Sequence, residues 1–242
     1  MTWNIQAGAG NLDAIAEMIR EQAPDIVGLQ EVDVHWSDRS SFADQAVELG
    51  RRLGMEVRFA PIYRLANADP TRPHREYGVA LLSRHPVTSW RNDSLTRLST
   101  QAAAPVPDLM PGMLEATVEV RGRRIRFFTT HLDYRADPGV RRRQVTETLA
   151  FLRQSDGPTV LVGDLNAPPE APELQPLFQV LRDAWTAGSG AGLTYPATVP
   201  AKRIDYILVS PHFDVAVASV PATTSSDHRP VVADVILRRA PR

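Results

Sequence analysis

Thr159-Val-Leu-Val-Gly-Asp-Leu-Asn166 reads as a strand that runs straight into polar side chains. Thr159–Val162 shows no alternation, which suits a strand covered on both faces. Gly163, Asp164 and Asn166 follow at once. Working outward, the pattern recurs in five more segments. A first strand over Met1–Gln6 carries Asn4. Asp25–Gln30 runs into Glu31. Ile125–Thr130 runs into His131 and Asp133. Arg203 and Asp205 open Ile204–Val209, and Ser226, Asp227 and His228 precede Val231–Leu237. Polar groups at the ends of rigid strands can converge on one pocket. Alone, each has an ordinary reading: a solvated carboxylate at Glu31, an Asx turn at Asp164–Asn166, a surface turn at Asp227-His228. Six segments with one pattern weaken those readings. The set of carboxylates, amides and two histidines suits a hard, oxygen-loving cation plus an acid–base pair.

Gly78–Ser83 and the alternating Leu114–Val120 add strands. Between the strands lie four helix signals. Leu12, Ile15, Ala16 and Ile19 keep helical spacing behind Asn11, a good N-cap. Phe42, Ala46, Leu49 and Leu53 follow Ser41, which with Asp44 has capping-box spacing. Val145, Leu149 and Leu152 form a stripe behind Asp137-Pro138, and Leu174, Leu177, Phe178 and Leu181 form another. Such interleaving predicts an α/β or α+β fold with two packed sheets. Ser99–Gly112, with Pro105, Pro107 and Pro111, reads as a long loop. No composition shift divides the chain, so one domain over 1–242 is expected.

The chain has 242 residues, 23% charged and 43% hydrophobic, which excludes disorder and coiled coil as the main architecture. Its apolar runs are too short to span a bilayer. Without cysteine there is no disulfide framework, thiolate metal site or Cys nucleophile. The net charge is −1, so a global field for nucleic acid is missing. Lys202 is the only lysine among 27 basic residues. No basic-then-apolar leader precedes the first strand, so a cytoplasmic location is expected. Export stays open, because a chain that starts in a strand is also what trimming leaves.

Thr2-Trp-Asn-Ile5, Leu29-Gln-Glu-Val32, Tyr77-Gly-Val-Ala-Leu-Leu-Ser-Arg84, Thr130-His-Leu-Asp133, Gly163-Asp-Leu-Asn-Ala167, Arg203-Ile-Asp-Tyr-Ile207 and Ser226-Asp-His-Arg-Pro230 occur in this order. As an ordered set they resemble the endonuclease/exonuclease/phosphatase superfamily, on its deoxyribonuclease and sphingomyelinase side. The resemblance covers Thr2 to Leu237. It implies a four-layer α/β sandwich, with two central sheets and helices outside, and Mg²⁺- or Mn²⁺-dependent hydrolysis of a phosphoester. It makes Glu31 the principal metal ligand, with Asn4 and Asp227 at the metal site. It makes His228 the group that activates or orients the attacking water, and Asp205 its orienting carboxylate. Asp164 and Asn166 position the nucleophile and hold a phosphate oxygen, and His131 donates to the phosphate.

Val32-Asp33 after the metal Glu departs from the Thr-Lys of abasic-site endonucleases, and those enzymes lack the Thr130-His-Leu132 pattern. The expected substrate is therefore a small or lipid-derived phosphoester, with DNA as the alternative. A catalytically inactive binding module on the same fold is the alternative of another class. Retention of Glu31, Asp164, Asn166, Asp205 and His228 favours the enzyme. No hydrophobic hairpin for membrane insertion is evident, and stable membrane association is not expected. A monomer is. Arg39, Arg75 and Arg135 fall in loops near site segments, where they serve solubility or clamp a phosphate. Arg141–Arg143 reads as a solvated helix face, Trp3 and Trp185 as core, and His35, His74, His85 and His212 as ordinary loop histidines.

Overall fold

In the computed structural model, residues 1–238 are described; the last four residues of the expected 1–242 domain lie outside them. Two sheets form from consecutive stretches of chain. The first comprises β1 (Thr2–Asn4), β2 (Ile26–Val34), β3 (Glu56–Leu65) and β4 (Arg75–Ser83), in the order β1-β2-β4-β3. The second comprises β5 (Val87–Leu98), β6 (Pro107–Val120), β7 (Arg123–His131), β8 (Thr159–Asp164), β9 (Arg182–Asp183) and β10 (Asp205–Val209), in the order β5-β6-β7-β8-β10-β9. A separate hairpin of β11 (Phe213–Ser219) and β12 (Val232–Leu237) follows. Helices α1 (Leu12–Gln22) and α2 (Gln45–Leu53) cover the first sheet. Helices α3 (Gly139–Leu152) and α4 (Gln175–Phe178) cover the second.

Three apolar layers hold this sandwich. Ile15, Ile19 and Leu49 meet Val27, Leu29 and Leu82 on one outer side. Val145, Leu149 and Leu152 meet Phe128, Leu161 and Leu208 on the other. Val79 and Leu81 face Leu114, Ala116, Phe127, Val162 and Ile207 between the sheets. Gly28 is required there: a Cβ would sit 2.3 Å from Val162 Cγ2. Beside it a polar bridge spans the gap, Gln30 Nε2 donating to Thr129 Oγ1 at 3.0 Å while Gln30 also bonds Thr2. Both parallel pairs, β1–β2 and β7–β8, have a helix in their crossover, as parallel connections require. The expected four-layer α/β sandwich is this architecture.

Asn11 caps α1, its side chain accepting from Ala14 N–H. For α2 the cap is Asp44, not Ser41, which ends a short 3₁₀ turn in the left-handed conformation. The expected loop Ser99–Gly112 is shorter than read: Pro107–Gly112 already belongs to β6 and pairs with the edge strand β5, where proline is tolerated. Arg141 is not solvated. It is buried and forks onto Glu173 Oε1 at 2.9 and 3.1 Å, while also donating to Asp133 O at 3.0 Å. Trp3 is fully buried, but Trp185 is half-exposed and sits against the backbone of Gly188 and Gly192. No helix among the described residues is long and apolar enough to cross a membrane.

Candidate active site

Strand register alone sets three of the polar residues side by side. In the parallel β7–β8 pair His131 is opposite Asp164, and in the antiparallel β8–β10 pair Asp164 is opposite Asp205. Gly163 makes the approach of β8 to β7 workable, since a Cβ there would lie 2.1 Å from Thr130 O. Asp164 Oδ1 then accepts from Asn166 N–H at 2.9 Å, closing an Asx turn that holds Asn166 at φ +53°. The Asx turn and the expected site residues, which the sequence offers as alternatives, coincide in one feature. Asn166 Nδ2 donates one hydrogen to Leu132 O at 3.0 Å and keeps a second to give.

The first sheet supplies the opposite wall. A bulge between Leu29 and Val32 interrupts the β2–β4 ladder, and Glu31 sits in it at φ +56°. A left-handed glutamate is strained, and the bulge re-aims its side chain out of the ladder into the cleft. Asn4, at the end of β1, bridges the two walls. Its Nδ2 donates to Glu31 Oε1 at 3.0 Å and to Asp164 Oδ2 at 3.1 Å. Its Oδ1 accepts from Gln6 N–H, so the face that Asn4 shows the site is its donor.

His228 arrives from the segment before β12. Trp3 Nε1 donates to His228 O at 2.8 Å, and Ser226 Oγ binds both Asn4 O and His228 N–H. Its Nδ1 lies 2.9 Å from Asp205 Oδ2 and its Nε2 3.6 Å from Asp164 Oδ2. His131 Nε2 is 3.5 Å from the same Asp164 oxygen. Asp227, half-buried next door, faces the cleft with Glu31. The cleft is about 1120 Å³ and contains Glu31, His131, Asp164, Asn166, Asp227 and His228 on its wall. The structure thus brings together every expected site residue, Asn4 and Asp205 lying directly behind the wall. His35, His74, His85 and His212 lie outside it.

Electrostatics separate the roles. Burial pulls the His228 imidazole down, but the charge and hydrogen bond of Asp205, with Asp164 and Asp227, more than reverse this and raise it to about 10. Asp164 is pushed up to about 6, by burial first and then by Asp205. Burial also lowers His131, with Arg97 adding to the effect against Asp164, so it is neutral near pH 7. Asp227 is raised by burial, and Glu31 adds to the rise.

A hard divalent cation fits these residues. Glu31 and Asp227 repel each other across one cleft, and the ligand set is oxygen and imidazole without sulfur. Asp164, Asp205 and His228 also place their donor atoms within 4.8 Å of one another. In that trio Asp205 and His228 are already bonded to each other, which leaves Glu31 and Asp227 the freer pair.

Sequence reasoning missed four contributors. Tyr195 lays its ring 4.8 Å from that of His228. Arg97, buried, donates to His131 O at 2.8 Å and to Pro111 O and Gly112 O, fixing the end of β7. Trp36 and Tyr77 extend the cleft, their ring centroids 5.8 Å apart. For Tyr77 a signal existed, since Arg75 and Tyr77 alternate on one face of β4. The other three come from segments with no pattern of their own.

Comparison with known proteins agrees with this geometry. A structure of an endonuclease/exonuclease/phosphatase from Beutenbergia cavernae DSM 12333 shares 25% identity at a TM-score of 0.72, covering 98% of this chain and 70% of that one. The human Nocturnin catalytic domain with bound sulfate shares 23% at 0.71, covering 97% and 91%. A mannosyl-6-phosphatase from Bacteroides thetaiotaomicron VPI-5482 shares 18% at 0.74, covering 98% of each chain. These last two show the fold. The search of curated proteins finds no match. The sequence profile of the Endonuclease/Exonuclease/phosphatase family matches residues 1–228, and the chain belongs to that family.

Proposed function

We propose that this protein hydrolyses small or lipid-derived phosphoesters by attack of an activated water on phosphorus, with Mg²⁺ or Mn²⁺. Members of the family are phosphoesterases and nucleases, typically dependent on a divalent metal. The observation that carries the reading is the buried Asp205–His228 pair, whose free Nε2 faces Asp164 at the floor of an open cleft. Glu31 and Asp227 would hold the metal, with Asn4 orienting Glu31 and Asp164. When bound, the ion supplies positive charge against the phosphoryl oxygens.

The chain's own residues do the rest. Asp205 accepts from Nδ1–H of His228 and fixes the tautomer that leaves Nε2 free. In its neutral form that nitrogen takes a proton from the attacking water, and Asp205 then holds the imidazolium. The carboxylates that raise His228 would be offset once Glu31 and Asp227 held the ion, which would favour the neutral form. Asp164 orients the water from the opposite side. The second Nδ2 hydrogen of Asn166 and the ring N–H of neutral His131 donate to the phosphoryl oxygens as charge builds on them. The water oxygen bonds to phosphorus, the ester P–O bond breaks, and the leaving oxygen takes a proton from solvent in the open cleft.

The test is a hydrolysis screen with Mg²⁺ and Mn²⁺ over sugar phosphates, phospholipids, nucleic acids and bis-p-nitrophenyl phosphate. Turnover of phosphoesters that stops on chelation is expected; no turnover of any of them overturns the reading. By calorimetry Glu31→Gln should weaken Mn²⁺ binding at least tenfold, about 1.4 kcal/mol. Unchanged affinity would remove Glu31 from the metal site.

A further inference from the structure

Six basic side chains line the cleft, and most are already spent. Arg39 forks onto Asp33 at 2.7 and 2.8 Å. Arg135 is paired with Asp133 and Arg203 with Asp183. Arg97 is used up on three backbone carbonyls. Arg75 is different. Among the described residues no carboxylate lies within ion-pair distance of it, and its Nε is buried without a hydrogen-bond partner. Its guanidinium carbon rests 5.3 Å from the Trp36 ring centroid, which holds the group in place without neutralising it. A buried donor left unmade is costly and calls for an acceptor. Lys202 also has no carboxylate partner, but it is exposed, flexible and reaches only over the Tyr195 ring.

We infer that the Arg75 end of the cleft is a subsite for a second phosphate of the substrate, so that this protein takes small phosphoesters carrying two phosphates. The inference rests on the phosphoester reading above and narrows its substrate class. Register gives the spacing. Asp33 pairs with Tyr77, Val32 with Gly78 and Leu29 with Ala80, so Glu31 lies in the bulge beside Val79, four residues along β4 from Arg75. At about 3.4 Å per residue the two backbones lie roughly 14 Å apart along the sheet. That is too far for two phosphoryl groups sharing one bridging oxygen. It suits phosphates at opposite ends of a sugar or polyol. Tyr77, on the same face of β4 as Arg75, lies between them and lines the cleft where the carbon skeleton would run. A guanidinium meets phosphate in a planar fork, and among the described residues no carboxylate occupies that of Arg75.

The experiment is calorimetric titration of the His228→Ala protein, with Mg²⁺ present, by glucose 6-phosphate and by glucose 1,6-bisphosphate. The bisphosphate should bind about tenfold tighter, the scale of one charge-assisted pair. Arg75→Met in the same background keeps the packing on Trp36 and should erase that preference while leaving the monophosphate affinity in place. Arg75→Lys should keep part of it. Equal affinities for the two sugars, no binding of either, or a preference that survives Arg75→Met would each overturn the inference. A preference that is lost instead with Lys202→Met would also overturn it, placing the second anion at the other end. Wild-type hydrolysis of the screened phosphoesters is scored in parallel. If any of them is turned over while the preference fails, the subsite is wrong and the phosphoesterase reading stands; if none is, the reading itself falls.

Discussion

Asp205 and His228 are 23 positions apart in sequence and 2.9 Å apart in space. His228→Ala should cut turnover by about 10²–10⁴, the scale of a lost acid–base group. Asp205→Asn should also slow it, since the shape is kept while the acceptor is damaged. The double variant should lose far less than the product of the two, because the pair acts as one unit. Losses that multiply would separate the two residues. The same pair has a pH signature in the metal-free protein. His228 is raised from 6.5 to about 10, so its stabilisation is complete below pH 6.5 and is lost as pH rises through 10. Asp164, raised from 3.8 to about 6, has already lost its contribution by the start of that window. The melting temperature of wild type should exceed that of Asp205→Asn by about 5 °C at pH 6.5, and the gap should close toward pH 10. A gap independent of pH would assign the stability to something other than this ion pair. At this scale the site was legible in the sequence because its residues end strands, where a polar side chain after an apolar run stands out. Orientation was not legible. That Asn4 turns its amide donor to the carboxylates follows from Gln6 N–H claiming its oxygen. That Arg97 supports His131 depends on a buried cation meeting backbone carbonyls, which leaves no trace in residue order.

Elements that bury both faces announced themselves, and edge elements did not. β2, β7, β8 and β10 were visible as apolar runs. β5 escaped because Trp90 and Arg91 face solvent, and β3 because Pro61 interrupts it at a bulge on the sheet edge. The start of β6 was hidden by its prolines. Arg141 on α3 belongs to the same lesson: one residue of an arginine run turns inward because Glu173 waits there. Arg141→Met should destabilise the fold by about 3–5 kcal/mol, the cost of stranding a buried carboxylate. Replacing Glu173 by Met in the same chain should recover much of it. Urea midpoints measure both, and an Arg141→Met change below 1 kcal/mol would mean that Glu173 finds water.

On the scale of the whole molecule, a net charge of −1 supplies no long-range pull on a polyanion. Only weak binding to random-sequence duplex DNA is expected at physiological salt. Tight binding in an anisotropy titration, falling steeply as salt rises, would promote DNA to the preferred substrate. The two sheets, noted earlier as consecutive stretches of chain, carry a kinetic consequence. Residues up to Ser83 hold Asn4 and Glu31; residues from Val87 onward hold His131, Asp164, Asn166, Asp205, Asp227 and His228. Only the link Arg84-His85-Pro86 joins the two stretches. Proteolysis at that link would leave two fragments, each with a whole sheet and neither with a whole site. Any activity that returned on mixing would depend on the concentration of both. The uncut link makes the meeting of the two walls intramolecular, and so independent of dilution.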